Sequence, residues 1–256
     1  MVAGCGGGAE PESSGGVAPA STPKPKPTPA SLGDRLEAAD ARLRSAIRGW
    51  RLRDRPPGDV LRAAATDRAI VHTLAGSPAL ARETIRTLPA PLRTRIRLDV
   101  KAAVDLRRLA GPPTGRRLHL VPPPPAGALL ADYRRAEARF HVRWQLLAAV
   151  NLIESAFGRV VNRSSAGAQG PMQFLPSTWR AYGLGGDVHD AGDAILGAAN
   201  YLHRSGAPAD ERRALFAYNR STFYVDAVLA YAHVMTRDPL GFGTYYAWEA
   251  SLPSVL

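Results

Sequence analysis

One acidic side chain in a strongly apolar segment is the feature of this sequence best suited to chemistry. Glu154 lies in the stretch Trp144–Phe157, whose spacing predicts a helix. A carboxyl flanked by apolar groups is costly to ionise, so its pKa rises and it can hold a proton near neutral pH. Such a group can act as a general acid. The residues expected to share its helical face are Leu147, Val150, Asn151, Phe157 and Gly158.

A purely structural role for Glu154 is the simpler alternative. The side chain could cap its helix or form a salt bridge with Arg159 or Arg163, which follow closely in the chain. The acid alone does not decide between the two hypotheses, and the segment after it favours the chemical one.

The residues that follow combine tight turns with groups able to bind a sugar. Ser164, Ser165, Gly167 and Gly170 allow close backbone approach and supply hydroxyls near the acid. Pro171–Phe174 (PMQF) then predicts an apolar surface beside an amide, a combination suited to a sugar ring with an N-acetyl group.

A second aromatic and amide pair occurs at Ala217–Asn219 (AYN), where a predicted helix ends. Its phenol and amide could orient a bound sugar by hydrogen bonds. The alternative is a helix end in which Asn219 adopts a left-handed capping conformation.

These motifs together resemble the soluble lytic transglycosylase family of goose-lysozyme-like, murein-cleaving domains. The resemblance rests on Glu154-Ser155, Ser164, Gly167–Phe174 (GAQGPMQF) and Ala217–Asn219, in that order. It covers about residues 129–235 and says nothing about residues 1–125. Pro171 and Phe174 stand where relatives often carry aliphatic residues, a departure that bears on the sugar subsite and leaves the acid untouched.

The resemblance implies a lysozyme-like α-helical catalytic domain and a specific reaction. Glu154 would protonate the β-1,4 bond between N-acetylmuramic acid (MurNAc) and N-acetylglucosamine (GlcNAc). The substrate acetamido group would assist, and 1,6-anhydro-MurNAc ends would form, so a second enzyme carboxylate is not needed. No cofactor is implied. The residues that would bind the sugar or line the cleft are Ser164, Met172, Gln173, Phe174, Tyr218 and Asn219.

Two other functions stay open at this point. A goose-type lysozyme would hydrolyse the same bond with water and would need a second carboxylate, for which Asp187, Asp190 and Asp193 are the nearby candidates. A non-catalytic peptidoglycan-binding protein could keep the cleft, although pure binding does not require a protonated acid.

The composition of the chain excludes several other classes of protein. The chain has 256 residues with 45% hydrophobic content, which is normal for a folded protein. The one cysteine, Cys5, excludes a disulfide scaffold, and the six histidines lack metal-ligand spacing, so no metal is expected. No apolar run reaches the roughly 18 residues that a membrane-spanning helix needs.

The positive charge is concentrated in the middle of the chain. The formal net charge is +11, and residues 31–125 hold 19 basic and nine acidic residues, hence +10 of it. Such a surface could attract anionic wall polymers or lipid headgroups, or it could simply be solvated. Nucleic-acid binding would rest on charge alone and is not expected, and we expect a monomer.

We expect a mainly α fold with a disordered tether, a small basic helical domain and a catalytic domain. The predicted boundaries are 1–30 for the Gly/Pro/Ser-rich tether, 31–110 for the basic domain, 111–127 for a Pro-rich connector and 128–256 for the catalytic domain. Helices are predicted at 32–50, 59–74, 78–88, 91–109, 128–142, 144–157, 177–182, 193–204, 210–218 and 222–236.

The first residues of the chain give an indication of where the protein is located in the cell. Val2–Cys5 resembles the lipobox of bacterial lipoproteins, in which the cysteine is acylated, although no basic or apolar segment precedes it. If the true start lies upstream, Cys5 would anchor the protein to the membrane. We expect an extracytoplasmic protein at the cell surface or in the cell wall.

Overall fold

The computed structural model describes residues 28–52, 54–112 and 117–252, and within these ranges the chain is almost entirely helical. The expected mainly α fold is confirmed, since the β pairing in the described residues is limited to two isolated bridges. The tether to residue 27, with Cys5, lies outside these ranges. The helices are α1 (Pro29–Trp50), α2 (Gly58–Ala75), α3 (Pro78–Thr87), α4 (Ala90–Ala110), α5 (Ala126–Phe140), α6 (Trp144–Ser155), α7 (Pro176–Tyr182), α8 (Ala191–Arg204), α9 (Glu211–Tyr218), α10 (Thr222–Arg237) and α11 (Gly241–Ala250).

Helix α1 starts earlier than expected, within the predicted tether. Thr28 and Ser31 form a reciprocal capping box, and Pro29 occupies the first turn. The buried face of α1 repeats every three or four residues, as the sequence predicted. In the described part of the chain, no helix has the length and apolarity needed to cross a membrane.

Two predictions about the helices were wrong. Helix α6 ends at Ser155, so Phe157 and Gly158 follow the helix and do not share the face of Glu154; Phe157 instead packs against Phe242 and Tyr246. Helix α11 was not predicted at all. Its segment is apolar on every side and almost wholly buried, so it lacks the polar face that identifies a surface helix.

One hydrophobic core runs through the whole described structure. Of the helices from the predicted basic domain, α4 packs against α10, α1 and α2 pack against α11, and α3 packs against α1, α2 and α4. Helix α10 also packs against α6, and α5 packs against α8. The side chains buried between these helices form one contiguous cluster from Leu32 to Trp248. The predicted boundary at 111–127 therefore separates two segments of sequence that share a single core.

A buried ionic cluster joins the first helices to the last one. The guanidinium of Arg95 on α4 contacts the carboxylates of Asp67 at 2.9 Å and Asp99 at 3.2 Å. The hydroxyl of Tyr245 donates to Asp99 and the indole of Trp248 donates to Asp67, so α11 also belongs to the cluster. Burial raises the pKa of Asp99 to about 7, against the opposing effect of Arg95. The terminal nitrogens of Arg95 are paired with carboxylates, while its buried Nε has no hydrogen-bond partner among the described residues, and the aspartates depend on this one guanidinium.

We expect Arg95→Met to lower the free energy of unfolding by about 3–5 kcal/mol, because two buried aspartates lose their cation. Urea unfolding followed by circular dichroism at pH 7 measures the change. Arg97→Met, at an exposed position on the same helix, is the control and should stay within about 0.5 kcal/mol of wild type. Equal midpoints for the two variants would contradict this prediction. If Arg95→Met does not fold, adding Asp67→Asn and Asp99→Asn should restore folded protein.

Candidate active site

Glu154 occupies the next-to-last position of α6, where the chain reverses sharply. Ala156, Phe157 and Gly158 have φ angles of 52°, 62° and 83°, so three successive residues adopt left-handed conformations. Such a run is strained for residues other than glycine and recurs at functional sites. The reversal stops the helix directly after the acid and leaves Glu154 at its end.

The carboxyl of Glu154 accepts a hydrogen bond from a buried tyrosine. The hydroxyl of Tyr224 lies 2.7 Å from Oε1 of Glu154, and Tyr224 is only 1% exposed. Burial raises the pKa of Glu154 from 4.5 to about 7, and the hydrogen bond from Tyr224 opposes the rise. The acid can therefore hold a proton near neutral pH, as the sequence predicted, while its ionised form still has a donor.

The guanidinium of Arg159, one of the two expected salt-bridge partners of Glu154, contacts main-chain oxygens. Arg159 is 1% exposed and donates to the main-chain oxygens of Val121 and Leu252. These hydrogen bonds link Val121, in the predicted connector, to Leu252, which follows α11. Arg163 is exposed on the loop that follows.

A buried hydrogen-bond network attaches α6 to the loop that contains Pro171. The amide of Asn151 donates to the main-chain oxygen of Pro171 at 2.8 Å and accepts from the hydroxyl of Tyr133 at 2.6 Å. The hydroxyl of Ser155 donates to the same oxygen at 2.5 Å and accepts from the backbone N–H of Gly158. The residues beside Glu154 therefore hold the Pro171 loop in place.

The loop after the acid is held in shape by its own polar groups. The Ser164 hydroxyl accepts from the backbone N–H of Ala168 at 3.0 Å, and the Gln173 amide donates to the Gly170 oxygen at 2.9 Å. Gly170 has a φ of 75°, and a Cβ there would lie 1.9 Å from the main-chain oxygen of Val188. Only glycine fits that position without moving the backbone.

Two stacked tyrosines connect this loop to Glu154. The hydroxyl of Tyr218 donates to the main-chain oxygen of Met172 at 2.6 Å. The ring of Tyr218 lies parallel to that of Tyr224, with centroids 6.4 Å apart, and Tyr224 in turn donates to Glu154. Contacts therefore run from the Met172 backbone through both tyrosines to the acid.

Residues 133–235 match the family model for the transglycosylase SLT domain. The chain therefore contains a segment that matches the transglycosylase SLT family. No curated protein and no solved structure matches the chain. The family consists of glycan-cleaving transglycosylases that act on peptidoglycan, and the resemblance stated from the sequence is confirmed at this level. Helices α1–α4 and α11 lie outside the matched segment.

Within the SLT domain, the predicted substrate residues fall into two groups. Ser164, Gln173, Tyr218 and Asn219 are partly exposed, and the backbone of Asn219 is extended instead of left-handed. Met172 and Phe174, in contrast, are 0% and 3% exposed. The expectation that these two side chains line an open cleft is not met, because they fill the core behind the loop.

Sequence reasoning missed Tyr224, the hydrogen-bond donor to the acid, and the partners of Asn151. One signal was present: the apolar pattern of residues 222–236 places Tyr224 on the buried face of its helix, and a buried tyrosine hydroxyl needs a partner. Nothing in the pattern identified Glu154, which lies 70 positions away, as that partner.

The three aspartates considered for a hydrolytic mechanism serve the turn before α8. Asp190 caps that helix by accepting from the Asp193 N–H at 2.9 Å. Asp193 accepts from the Asp187 N–H, and Asp187 accepts from the N–H of His189. Their carboxylates are used to shape the turn, which disfavours a role for them as the second catalytic carboxylate.

Glu154→Gln should stabilise the SLT domain at alkaline pH. Because the folded pKa is raised above its unfolded value of 4.5, wild type loses stability as the pH rises from about 4.5 to about 7, and glutamine removes this loss. We expect a gain of about 1–3 kcal/mol at pH 8 and almost none at pH 4. Thermal unfolding across this pH range measures it, with Glu83→Gln at an exposed site on α3 as the control. A gain that is the same at both pH values would contradict the raised pKa.

Proposed function

We propose that the protein is a peptidoglycan lytic transglycosylase that cleaves the bond between MurNAc and GlcNAc with Glu154 as its one catalytic acid and base. The observation that carries this proposal is the desolvated carboxyl with a pKa of about 7, held by the Tyr224 hydroxyl inside a segment of the SLT family. A general acid works best when its pKa lies near the operating pH.

In the first step, protonated Glu154 gives its proton to the glycosidic oxygen, the bond to C1 of MurNAc breaks, and GlcNAc leaves with a free 4-hydroxyl. The acetamido group of MurNAc stabilises the positive charge that develops at C1. In the second step, ionised Glu154 removes the proton from the C6 hydroxyl, and O6 bonds to C1. A 1,6-anhydro ring forms, and Glu154 is protonated again for the next cycle.

Tyr224 supports both protonation states of the acid. Its hydroxyl stabilises the carboxylate after the first proton transfer and limits how far burial raises the pKa. The adjacent Tyr218 sets the position of the Met172 backbone and is proposed to face the sugar with Ser164, Gln173 and Asn219. Their partial exposure supports this role, while Met172 and Phe174 support the loop from the core.

The substrate also implies a location. Peptidoglycan lies outside the cytoplasmic membrane, so we propose that the protein acts there. Acylation of Cys5 as a membrane anchor stays a prediction, since that residue lies outside the described ranges.

Glu154→Gln should lower the rate of peptidoglycan cleavage by about 10²–10⁴-fold, because glutamine keeps the shape and removes the transferable proton. Release of soluble fragments from purified peptidoglycan measures the rate, and an unchanged circular dichroism spectrum controls for folding. Cleavage at the wild-type rate would refute the proposal.

The masses of the wild-type products separate the transglycosylase from a lysozyme. Anhydro-muropeptides are lighter than hydrolysis products by one water molecule. We expect anhydro ends, and products with only reducing ends would assign hydrolysis instead.

Tyr224→Phe should move the alkaline limb of the pH profile of kcat/KM upward by about one pH unit. Loss of the donor destabilises the carboxylate, so Glu154 keeps its proton to a higher pH. Tyr246→Phe is the matched control, because the hydroxyl of Tyr246 on α11 donates to the main-chain oxygen of Pro124 and not to Glu154. A profile of Tyr224→Phe that coincides with the control would show that this hydroxyl does not tune the acid.

A further inference from the structure

A groove beside Glu154 is lined in part by helices that lie outside the SLT segment. The groove encloses about 340 Å³, at the small end of the range of roughly 300–1,000 Å³ typical of ligand sites. One wall is the end of α6 with Ile153 and Glu154. A second wall comes from α2 and α4 and carries Arg68, His72 and Arg107.

The C-terminal half of α4 contacts α10, the helix that carries Tyr224. Lys101 on α4 contacts Asp226 on α10 at 3.0 Å, and the guanidinium of Arg108 lies 5.6 Å from the ring centroid of Phe223. Phe223 directly precedes Tyr224. The basic wall is therefore fixed next to the proposed catalytic pair by contacts on α10.

The cations of the wall face the groove with few acids to balance them. Arg107 donates to the main-chain oxygen of His72 at 2.7 Å, which holds its guanidinium at the rim. Arg68 lies 3.6 Å from Glu249, and its buried Nε has no hydrogen-bond partner among the described residues. Because the pKa of Glu154 is about 7, its carboxyl is only partly ionised at neutral pH, so Glu154 and Glu249 do not fully balance the two arginines.

The lowered pKa of His72 is consistent with a positive potential from the two arginines of the wall. Desolvation, together with repulsion of the proton by Arg68 and Arg107, lowers the pKa of His72 to about 4. The imidazole is therefore neutral at pH 7 and does not add to the charge.

The proposed substrate carries the complementary charge. Each MurNAc bears a lactyl group whose carboxyl is free in peptide-free strands and is otherwise joined to a peptide with carboxylates of its own. A guanidinium binds a carboxylate with two parallel hydrogen bonds, and a lysine ammonium lacks this geometry.

We propose that Arg107, with Arg68 behind it, forms a carboxylate-binding subsite that recognises a lactyl or stem-peptide carboxylate on the glycan bound at Glu154. The inference rests on the proposed function and deepens it, because it assigns a role in substrate recognition to helices outside the SLT segment. The subsite contributes binding and takes no part in proton transfer.

The kinetic test compares Arg107→Gln with Arg97→Gln, an exposed position on the same helix that does not line the groove. Soluble peptide-free strands are used with their lactyl carboxyls either free or converted to methylamides, together with peptide-bearing strands. Arg107→Gln should raise KM about tenfold on a carboxylated substrate with kcat unchanged, and should match the control on the methylamide. Arg107→Lys should recover only part of the affinity.

The substrate that responds identifies the source of the carboxylate. A rise in KM on free peptide-free strands assigns the lactyl group, and a rise limited to peptide-bearing strands assigns the stem peptide. An equal KM for Arg107→Gln and Arg97→Gln on every substrate overturns the inference. A fall in kcat on all substrates, the methylamide included, also overturns it, since Arg107 would then act on the acid.

A binding test separates failure of this inference from failure of the proposed function. Glu154→Gln and Glu154→Gln/Arg107→Gln are sedimented with insoluble peptidoglycan whose carboxyls are free or amidated. Weaker binding of the double variant to the free form alone supports the subsite even if wild type cleaves nothing. Equal binding of both variants overturns the subsite even if wild type cleaves normally.

Discussion

Desolvation of one carboxyl is the physical constraint on which the site depends. In water Glu154 would be ionised at neutral pH and could not donate a proton. Burial at the end of α6 raises its pKa to about 7, and a single phenolic hydrogen bond from Tyr224 keeps its charged form accessible. The reversal at Ala156 and the network from Asn151 to Pro171 keep this environment fixed.

Local patterns were enough to predict most of the helices and the acid itself. The periodic apolar positions of α1 and the glycine and proline signals between helices depend on residues close together in sequence. The motif around Glu154 was also local and identified the family. Met172 and Phe174 show the limit of this reasoning, because an apolar pair in a loop is compatible with either a cleft wall or a core, and packing decided for the core.

Contacts between distant segments could not be predicted in the same way. The Tyr224 hydroxyl and the Asn151 amide find their partners only after the helices pack. Helix α11 had no polar face because every side of it is covered, so its segment gave no periodic signal. The ionic cluster around Arg95 needs α2, α4 and α11 together, and charge counting along the chain treated its members as surface.

The shared core has a consequence for how this enzyme fold can vary. Helix α10 is covered by α4 and α6 together, so excision of residues 1–110, which removes α4, would uncover an apolar flank of the helix that carries Tyr224. A fragment limited to the family segment would expose that flank to self-association. The N-terminal helices thus complete the packing around the helix that carries Tyr224, and a shortened protein would have to keep them or replace the apolar surface that they cover.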